Sequence, residues 1–389
     1  MLVQSAMILR SLLPQIKVIN MNSDNLKKIT ALRHELHQHP ELSGQESRTK
    51  RTLMDFIEAN TRLAVIDCGK WFYASRYIES TDAIAFRADM DALPFLEALN
   101  LPYASQNPGV SHKCGHDGHC AALCGLALEL DAMNLNRSVY LVFQHAEETG
   151  QGAHECSDFL RDRNISEIYA FHNWSGYPEN SIVIRSGLCQ CASQGLTVHF
   201  TGRPSHASEP EKGINPSFAV GRLIMGIKEL YSQYEGRKIL CTIVNVRVGS
   251  RNFGISPGDG EVSMTLRAEH ERDMQAFDGA VRALAEKLGG DFSVDVNFET
   301  QDYFPETVSD SECVRKVKHA AQTLGLQVIE MDEAIRASED FGWYMKQIPG
   351  AIFYVGNGEN YPAIHTSGYD FNDHILASAV DMFTGIYLL

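Results

Sequence analysis

Residues 82–86 read DAIAF and residues 138–143 read SVYLVF, two short apolar runs typical of buried β-strands. Between them, residues 118–135 are rich in alanine and leucine, which favours a helix. A strand, a helix and a second strand in this order indicate a mainly parallel sheet covered by helices. These elements therefore predict an α/β fold for this part of the chain.

The stretch between residues 188 and 298 shows a different order of elements. We predict four strands and two helices there, in the order 195–201 (strand), 215–234 (helix), 238–248 (strand), 261–268 (strand), 271–288 (helix) and 292–298 (strand). This β-α-β-β-α-β order is that of a ferredoxin-like sandwich. After residue 299 the alternation of strands and helices resumes, with a strand at 351–355 and a C-terminal helix.

We therefore predict two domains, as expected for 389 residues. The catalytic domain has a mainly parallel central sheet flanked by helices and is formed by residues 1–187 and 299–389. An inserted ferredoxin-like α+β lid domain occupies residues 188–298.

Charge and composition exclude several classes of protein. The formal net charge is −15, and this disfavours nucleic acid or an anionic membrane as a partner, because both are polyanions. No apolar run approaches the roughly 20 residues that span a bilayer. The first twenty residues are interrupted by Arg10, and we do not expect them to be a signal peptide. Nine cysteines without a disulfide-like spacing favour the reducing cytoplasm.

The densest group of chemically active side chains is HKCGHDGH at residues 112–119. Cys114 and His116 lie two residues apart in a glycine-containing turn, directly before the predicted helix. Such a turn can direct both side chains to one point, and thiolate and imidazole are good ligands for zinc-like metals. A surface loop that happens to carry several histidines is the alternative interpretation of this stretch taken alone.

A second group is QHAEETG at residues 144–150, which follows the predicted strand at 138–143. Neighbouring side chains at the end of a strand project in different directions. One of Glu147 and Glu148 can therefore bind a metal while the other acts as a general base. A solvated pair of glutamates is the simpler alternative.

Two histidines and two aspartates complete the candidate set. His172 follows the strand-like residues 168–171, and His365 lies in AIHTSGYD at 363–370, but each alone is more typical of a structural or surface histidine. Asp89 and Asp91 follow the first buried strand. An aspartate there can orient a metal-bound histidine or cap a helix.

Taken together, the motifs resemble the metallo-aminoacylase family, which includes hippurate hydrolases, auxin-conjugate amidohydrolases and N-acetyl-diaminopimelate deacetylases. The resemblance extends from about Leu32 to the C-terminus. It depends on seven ordered motifs: HPEL (39–42), RADMDALP (87–94), HKCGHDGH (112–119), AEE (146–148), SHA (205–207), SEDF (338–341) and YDFND (369–373).

The resemblance implies a site for two divalent metal ions in each subunit. Related two-metal peptidases carry His-x-Asp where this chain has Asp89-x-Asp91, and the branch with a cysteine ligand is similar to this sequence. Cys114 would then replace the bridging aspartate. The implied ligands are Cys114, His116 and His172 for one metal and Cys114, Glu148 and His365 for the other, with Asp91 orienting a ligand from behind. Zinc or manganese is expected, and cobalt or nickel also suits these ligands.

The resemblance also implies an activity, the hydrolysis of N-acyl amino acids. Glu147 would be the general base, and His206 would stabilise the oxyanion. In relatives this histidine reaches the site of a partner subunit, so a homodimer formed through the inserted domain is expected. Arg267 matches an arginine that can hold the carboxylate of the substrate, although a solvated strand residue is equally consistent.

Three alternatives remain open from the sequence. Cys114 could be a nucleophile with a nearby histidine as its base, but the adjacent Glu147–Glu148 pair and the remote His172 and His365 would then have no role. A metallo-dipeptidase or carboxypeptidase would use the same mechanism on a peptide bond. A non-catalytic binding protein could keep the fold without the activity.

Overall fold

A computed structural model of the chain describes residues 20–79, 81–234 and 236–389. The prediction about a signal peptide concerns residues that, apart from Asn20, lie outside these ranges. Within the described ranges, no helix is both long and apolar enough to cross a membrane.

The α-helices are distributed along the whole described chain. In chain order they are α1 (Ser23–Gln38), α2 (Ser47–Asn60), α3 (His116–Asp131), α4 (Gly152–Ser157), α5 (Ser217–Gln233), α6 (Glu271–Phe292), α7 (Ser311–Thr323), α8 (Gly342–Met345) and α9 (Leu376–Tyr387).

The strands fall into one large sheet, one four-stranded sheet and two short pairs. In chain order they are β1 (Ala64–Asp67), β2 (Phe72–Arg76), β3 (Ala83–Asp89), β4 (Ser138–Gln144), β5 (Ile165–Trp174), β6 (Ile182–Ile184), β7 (Gly187–Gln190), β8 (Ala192–Thr201), β9 (Ser205–His206), β10 (Leu240–Val248), β11 (Ile255–Ser256), β12 (Asp259–Ala268), β13 (Asp295–Phe304), β14 (Thr307–Ser309), β15 (Val328–Glu330) and β16 (Gly350–Gly356).

The large sheet has the strand order β1-β2-β4-β3-β5-β16-β6-β15. Its four central strands, β4, β3, β5 and β16, are mutually parallel. The two apolar runs at 82–86 and 138–143 form β3 and β4, which are neighbours, and α3 connects them. Helix α3 is buried along almost its whole length and packs against α1 and α9. The predicted α/β fold with a mainly parallel sheet is therefore confirmed.

The four-stranded sheet has the order β10-β12-β8-β13, and all its pairs are antiparallel. Helices α5 and α6 pack on it around a separate apolar core. This order, with one helix after the first strand and one after the third, is that of a ferredoxin-like sandwich. The boundaries at 188 and 298 remain predictions.

Several ends of elements differ from those predicted in this region; β8, for example, begins at Ala192 rather than at residue 195. Strand β13 runs to Phe304 rather than to residue 298. The sequence did not predict its last residues because they are largely exposed at a sheet edge and lack apolar alternation. Helix α5 begins at Ser217, not Pro216. The side chain of Asn215 accepts a hydrogen bond from the Ser217 amide at 2.9 Å and covers the end of the helix.

The topology brings the chemically active residues to one edge of the large sheet. Because β3, β4 and β5 are parallel, their carboxyl ends meet there. Asp89 is the last residue of β3, Glu147 follows β4, and His172 lies near the end of β5. The first turn of α3 begins at this same edge with His116.

Candidate metal centre

The turn before α3 depends on the glycine between Cys114 and His116. Gly115 adopts a φ of 104° and caps the helix in a left-handed conformation. A Cβ atom at this position would lie 2.3 Å from Oδ1 of Asn173. The turn is also held by Lys113, whose buried ammonium donates to Glu97 and to the carbonyl of Tyr369, both at 2.7 Å. Backbone and side-chain contacts thus hold Cys114 and His116 in place.

Cys114, His116 and His172 form the first group of potential ligands. Their donor atoms lie within 4.8 Å of one another, and all three residues are buried. The Nδ1 of His116 donates to the carbonyl of Asp91 at 2.9 Å, and that of His172 donates to the carbonyl of Asn173 at 2.8 Å. In the neutral form of each ring, Nε2 therefore keeps its lone pair for another partner.

Cys114, Glu148 and His365 form the second group, also with donor atoms within 4.8 Å. Nε2 of His365 is 3.6 Å from Oε1 of Glu148. His365 is exposed and adopts a φ of 60°, an uncommon value for a residue that is not glycine. Since Cys114 belongs to both groups, its thiolate can bridge two cations.

These residues fit two divalent metals because some of their buried polar atoms lack hydrogen-bond partners among the described residues. Nε2 of His116 and Oε1 of Glu148 are buried, yet neither has a hydrogen-bond partner among the described residues. A buried polar atom without a partner costs free energy, and one cation in each ligand group would satisfy these two atoms. One thiolate, three imidazoles and one carboxylate suit zinc-like metals better than magnesium or calcium.

The pKa values of the side chains in the pocket are also those expected where a cation binds. Burial alone lowers the pKa of His116, but Asp89 and Asp91 raise it to about 10. Burial and then His119 lower the pKa of His172 well below its usual value, so this ring is neutral and able to ligate. Burial and then Glu148 raise the pKa of the Cys114 thiol. A thiolate at Cys114 therefore requires a nearby cation.

Asp91 lies behind His116 and Glu148. Its Oδ2 accepts hydrogen bonds from Oγ of Ser43 at 2.7 Å and from the amide of Glu148 at 2.9 Å. Its Oδ1 is 3.3 Å from Nδ1 of His116. These contacts fit the orienting role predicted for Asp91.

Glu147 lies in the turn after β4, next to the ligand groups. Its carboxylate and those of Glu339 and Asp340 have oxygens within 4.8 Å of one another. Burial, followed by the charge of Glu339, raises the pKa of Glu147 well above its usual value. The preceding Ala146 has a φ of 49°, and its amide donates to Glu46 at 2.8 Å. The turn is thus held in an unusual conformation that buries Glu147.

The structure adds residues that the sequence analysis left without a role. Arg87 is fully buried and lies 2.6 Å from Asp89, 2.7 Å from Asp340 and 3.0 Å from Glu339. Asp89 also lies 2.6 Å from Nδ1 of His119. Arg87, Glu339 and Asp340 belong to the RADMDALP and SEDF motifs, but only the fold brings them together.

His206 and Arg267 lie outside the ligand groups. His206 is exposed on β9, and its Nδ1 accepts from the amide of Ser208 at 3.1 Å. Arg267, on β12, donates from Nη1 to the carbonyl of Arg336 and to Oγ of Ser338. Among the described residues, neither of the two contributes to a group that could hold a metal ion.

Comparison with known proteins identifies the family. The sequence profile of Peptidase family M20/M25/M40 matches residues 85–388. The chain belongs to this family. The resemblance inferred from the seven motifs is thereby confirmed, since hippurate hydrolase is among the relatives of this M20 protein.

Matches to two relatives cover most of the M20 chain. An N-acetylcysteine deacetylase of Bacillus subtilis is 29% identical over 337 residues, which cover 85% of this chain and 88% of the relative. A hippurate hydrolase of Campylobacter jejuni is 28% identical over 364 residues, covering 92% and 95%. Amide hydrolysis is the general activity that the family and these relatives support.

A solved structure with the same fold supports the metal centre. A dinuclear metal-binding M20 peptidase of Bacillus subtilis superimposes with a TM-score of 0.78 at 26% identity, over 94% of this chain and 98% of that one. Together with the two ligand groups, this likeness supports two divalent metal ions in the present protein.

Proposed function

We propose that the protein hydrolyses N-acyl amino acids to a carboxylic acid and a free amino acid. The observation that carries this proposal is the pair of ligand groups sharing Cys114, with the buried carboxylate of Glu147 beside them. The names of the deacetylase and hippurate hydrolase relatives support an acyl amide as the scissile bond. A dipeptidase would use the same groups, but none of these contacts favours it specifically.

The ligands of the proposed metals are assigned from the two groups. Cys114, His116 and His172 would hold one ion, and Cys114, Glu148 and His365 the other. Zinc or manganese suits this mixture of sulfur, nitrogen and oxygen, as do cobalt and nickel. When bound, the two ions would polarise the amide carbonyl and lower the pKa of a water molecule.

Glu147 is the proposed general base and acid. Its carboxylate takes a proton from the water whose oxygen attacks the carbonyl carbon. The same carboxyl group then gives this proton to the nitrogen as the C–N bond breaks, so that the amino acid leaves as a neutral amine. Burial and the neighbouring carboxylates raise the pKa of Glu147, and this favours a group that can return the proton it has accepted.

His206 is the proposed donor to the oxyanion. Because Nδ1 accepts from the Ser208 amide, Nε2 carries the proton of the neutral ring and can donate it in a hydrogen bond. We further propose that His206 acts in the site of a partner subunit. The edge strand β10 of the four-stranded sheet exposes Leu240, Val244 and Val246, and this supports a homodimer formed through the inserted domain.

The test is hydrolysis of a panel of N-acetyl and N-benzoyl amino acids, with unmodified dipeptides as the competing substrate class. The protein is stripped with a chelator and resupplied with zinc or manganese. We expect turnover to disappear on chelation, to return with metal, and to favour N-acyl amino acids. Hydrolysis that persists after chelation would overturn the metal mechanism, and turnover of dipeptides alone would reassign the substrate.

A further inference from the structure

The residues between β15 and α8 contact both the large sheet and the four-stranded sheet. We term residues 336–340 the tie segment. At its start, Nη1 of Arg267 donates to the carbonyl of Arg336 and to Oγ of Ser338. Arg267 belongs to β12 in the four-stranded sheet, so this sheet holds the first half of the tie segment.

The second half of the tie segment lies against the candidate metal centre. Glu339 and Asp340 are buried, and both carboxylates contact the guanidinium of Arg87 on β3. Each has an oxygen within 4.8 Å of a carboxylate oxygen of Glu147. A displacement of the tie segment would therefore move two carboxyl groups that lie directly beside the proposed base.

Further hydrogen bonds hold the tie segment between these two ends. Oγ of Ser338 donates to the carbonyl of Cys191 at 2.8 Å, and the amide of Cys191 donates to the carbonyl of Ala337 at 3.2 Å. Oγ1 of Thr307 donates to the carbonyl of Glu339 at 3.0 Å. Because hydrogen bonds hold the segment along its length, a displacement of Arg267 also displaces Glu339.

We propose that Arg267 is a positioning residue, which couples the four-stranded sheet to Glu147 through the tie segment. The proposal rests on the proposed function for its effect on turnover. A substrate carboxylate is the rival ligand of Arg267, since the guanidinium is half-buried and forms no ion pair among the described residues. The two roles make opposite predictions for a substrate that lacks its carboxylate.

The kinetic test compares an N-acetyl amino acid with its C-terminal carboxamide. We expect Arg267→Met and Ser338→Ala each to lower kcat by roughly 10- to 100-fold, as for a displaced catalytic group, with KM changed less than about twofold. The variant-to-wild-type ratio should be the same for both substrates. The double variant should lose no more than the more severe single variant, because both changes break one connection.

Two variants serve as controls. Arg267→Lys keeps a charged donor and should recover part of the lost kcat. Arg282→Met removes an arginine of α6 whose hydrogen-bond partners among the described residues are Asp278 on α6 and Thr300 on β13, and this change should leave turnover unchanged. Thermal unfolding and metal content, measured on each variant, identify any that fails to fold.

Hydrogen exchange supplies a readout that does not depend on the substrate. In Arg267→Met and Ser338→Ala, amide exchange over residues 335–341 and 144–149 should be about tenfold faster than in the wild type or in Arg282→Met. Unchanged exchange, or a rise in KM confined to the carboxylate substrate with kcat preserved, would overturn the proposal. If the wild type hydrolyses no N-acyl substrate, the proposed function fails. Hydrogen exchange still tests whether Arg267 and Ser338 hold the tie segment in place.

Discussion

Sγ of Cys114 lies 3.4 Å from Nε2 of His172, although the two residues are 58 positions apart in the sequence. Cys114 reaches this point from the turn before α3, and His172 reaches it from the end of β5. The same sulfur also belongs to the group with Glu148 and His365. Cys114 is thus the shared donor of the proposed centre.

Replacement of Cys114 should therefore affect both metals. We expect Cys114→Ser to lower the bound zinc from two ions per chain to one or fewer, because a serine hydroxyl is a poor replacement for a bridging thiolate. Metal content by mass spectrometry of the dialysed protein measures this. Cys68→Ser changes a cysteine outside every ligand group and should retain two ions. Full metal content in Cys114→Ser would remove Cys114 from the centre.

The conformation of Gly115 leads to a second prediction. An alanine there would be strained by its positive φ and would collide with Asn173. We expect Gly115→Ala to fold but to bind metal at least about tenfold more weakly, since the clash displaces the turn that carries Cys114 and His116.

The matched control for that prediction is Gly109→Ala. Gly109 has a φ of 79°, but a Cβ atom there meets nothing within 4 Å. The Gly109→Ala variant therefore has the strain of a positive φ without a clash, and its metal affinity should remain that of the wild type. Equal weakening of metal binding in both variants would show that backbone strain, not the contact with Asn173, is responsible.

A third prediction concerns the pH dependence of stability. His37 is fully buried, and its ring lies 2.8 Å from Asp117 and 3.0 Å from Glu97. Burial alone lowers its pKa, but Asp117 and then Glu97 raise it from 6.5 to about 9. A raised pKa means that the stabilising contribution is complete below pH 6.5 and is lost as the pH rises through 9.

The comparison that isolates His37 is urea unfolding of metal-free wild type and His37→Gln between pH 6 and 9.5. Between pH 6.5 and 9 the wild type should lose about 3 kcal/mol more of its free energy of unfolding than the variant, as an upper bound. Parallel curves for the two proteins would show that His37 is neutral in the folded state.

The core of the fold could be predicted because its signals are local. Strands β3 and β4 are continuous apolar runs, and α3 is rich in alanine and leucine, so each element is recognisable by itself. Short strands such as β9 and β11 carry no such pattern. Their two-residue pairing exists only because the loop at 249–256 folds back on His206.

The candidate site was predictable only in part for the same reason. The turn with Cys114 and His116 is local, and the family resemblance implied Glu148, His172 and His365 as ligands. The structure brings these residues together, and their roles as ligands remain predictions. Arg87 and Asp340 lie 253 positions apart, and no local pattern in the sequence indicates that they form an ion pair. Likewise, no pattern in the sequence indicates that Arg267 contacts Ser338.

The measurement that tests the central claim most directly is turnover against metal content for Glu147→Gln, with Glu209→Gln, an exposed glutamate, as control. The claim is that Glu147 transfers the proton and does not hold the metal. The variant should bind two ions per chain like the wild type, while kcat for an N-acetyl amino acid falls by about 10²- to 10⁴-fold. Turnover within a few-fold of the wild type at full metal content would contradict the claim.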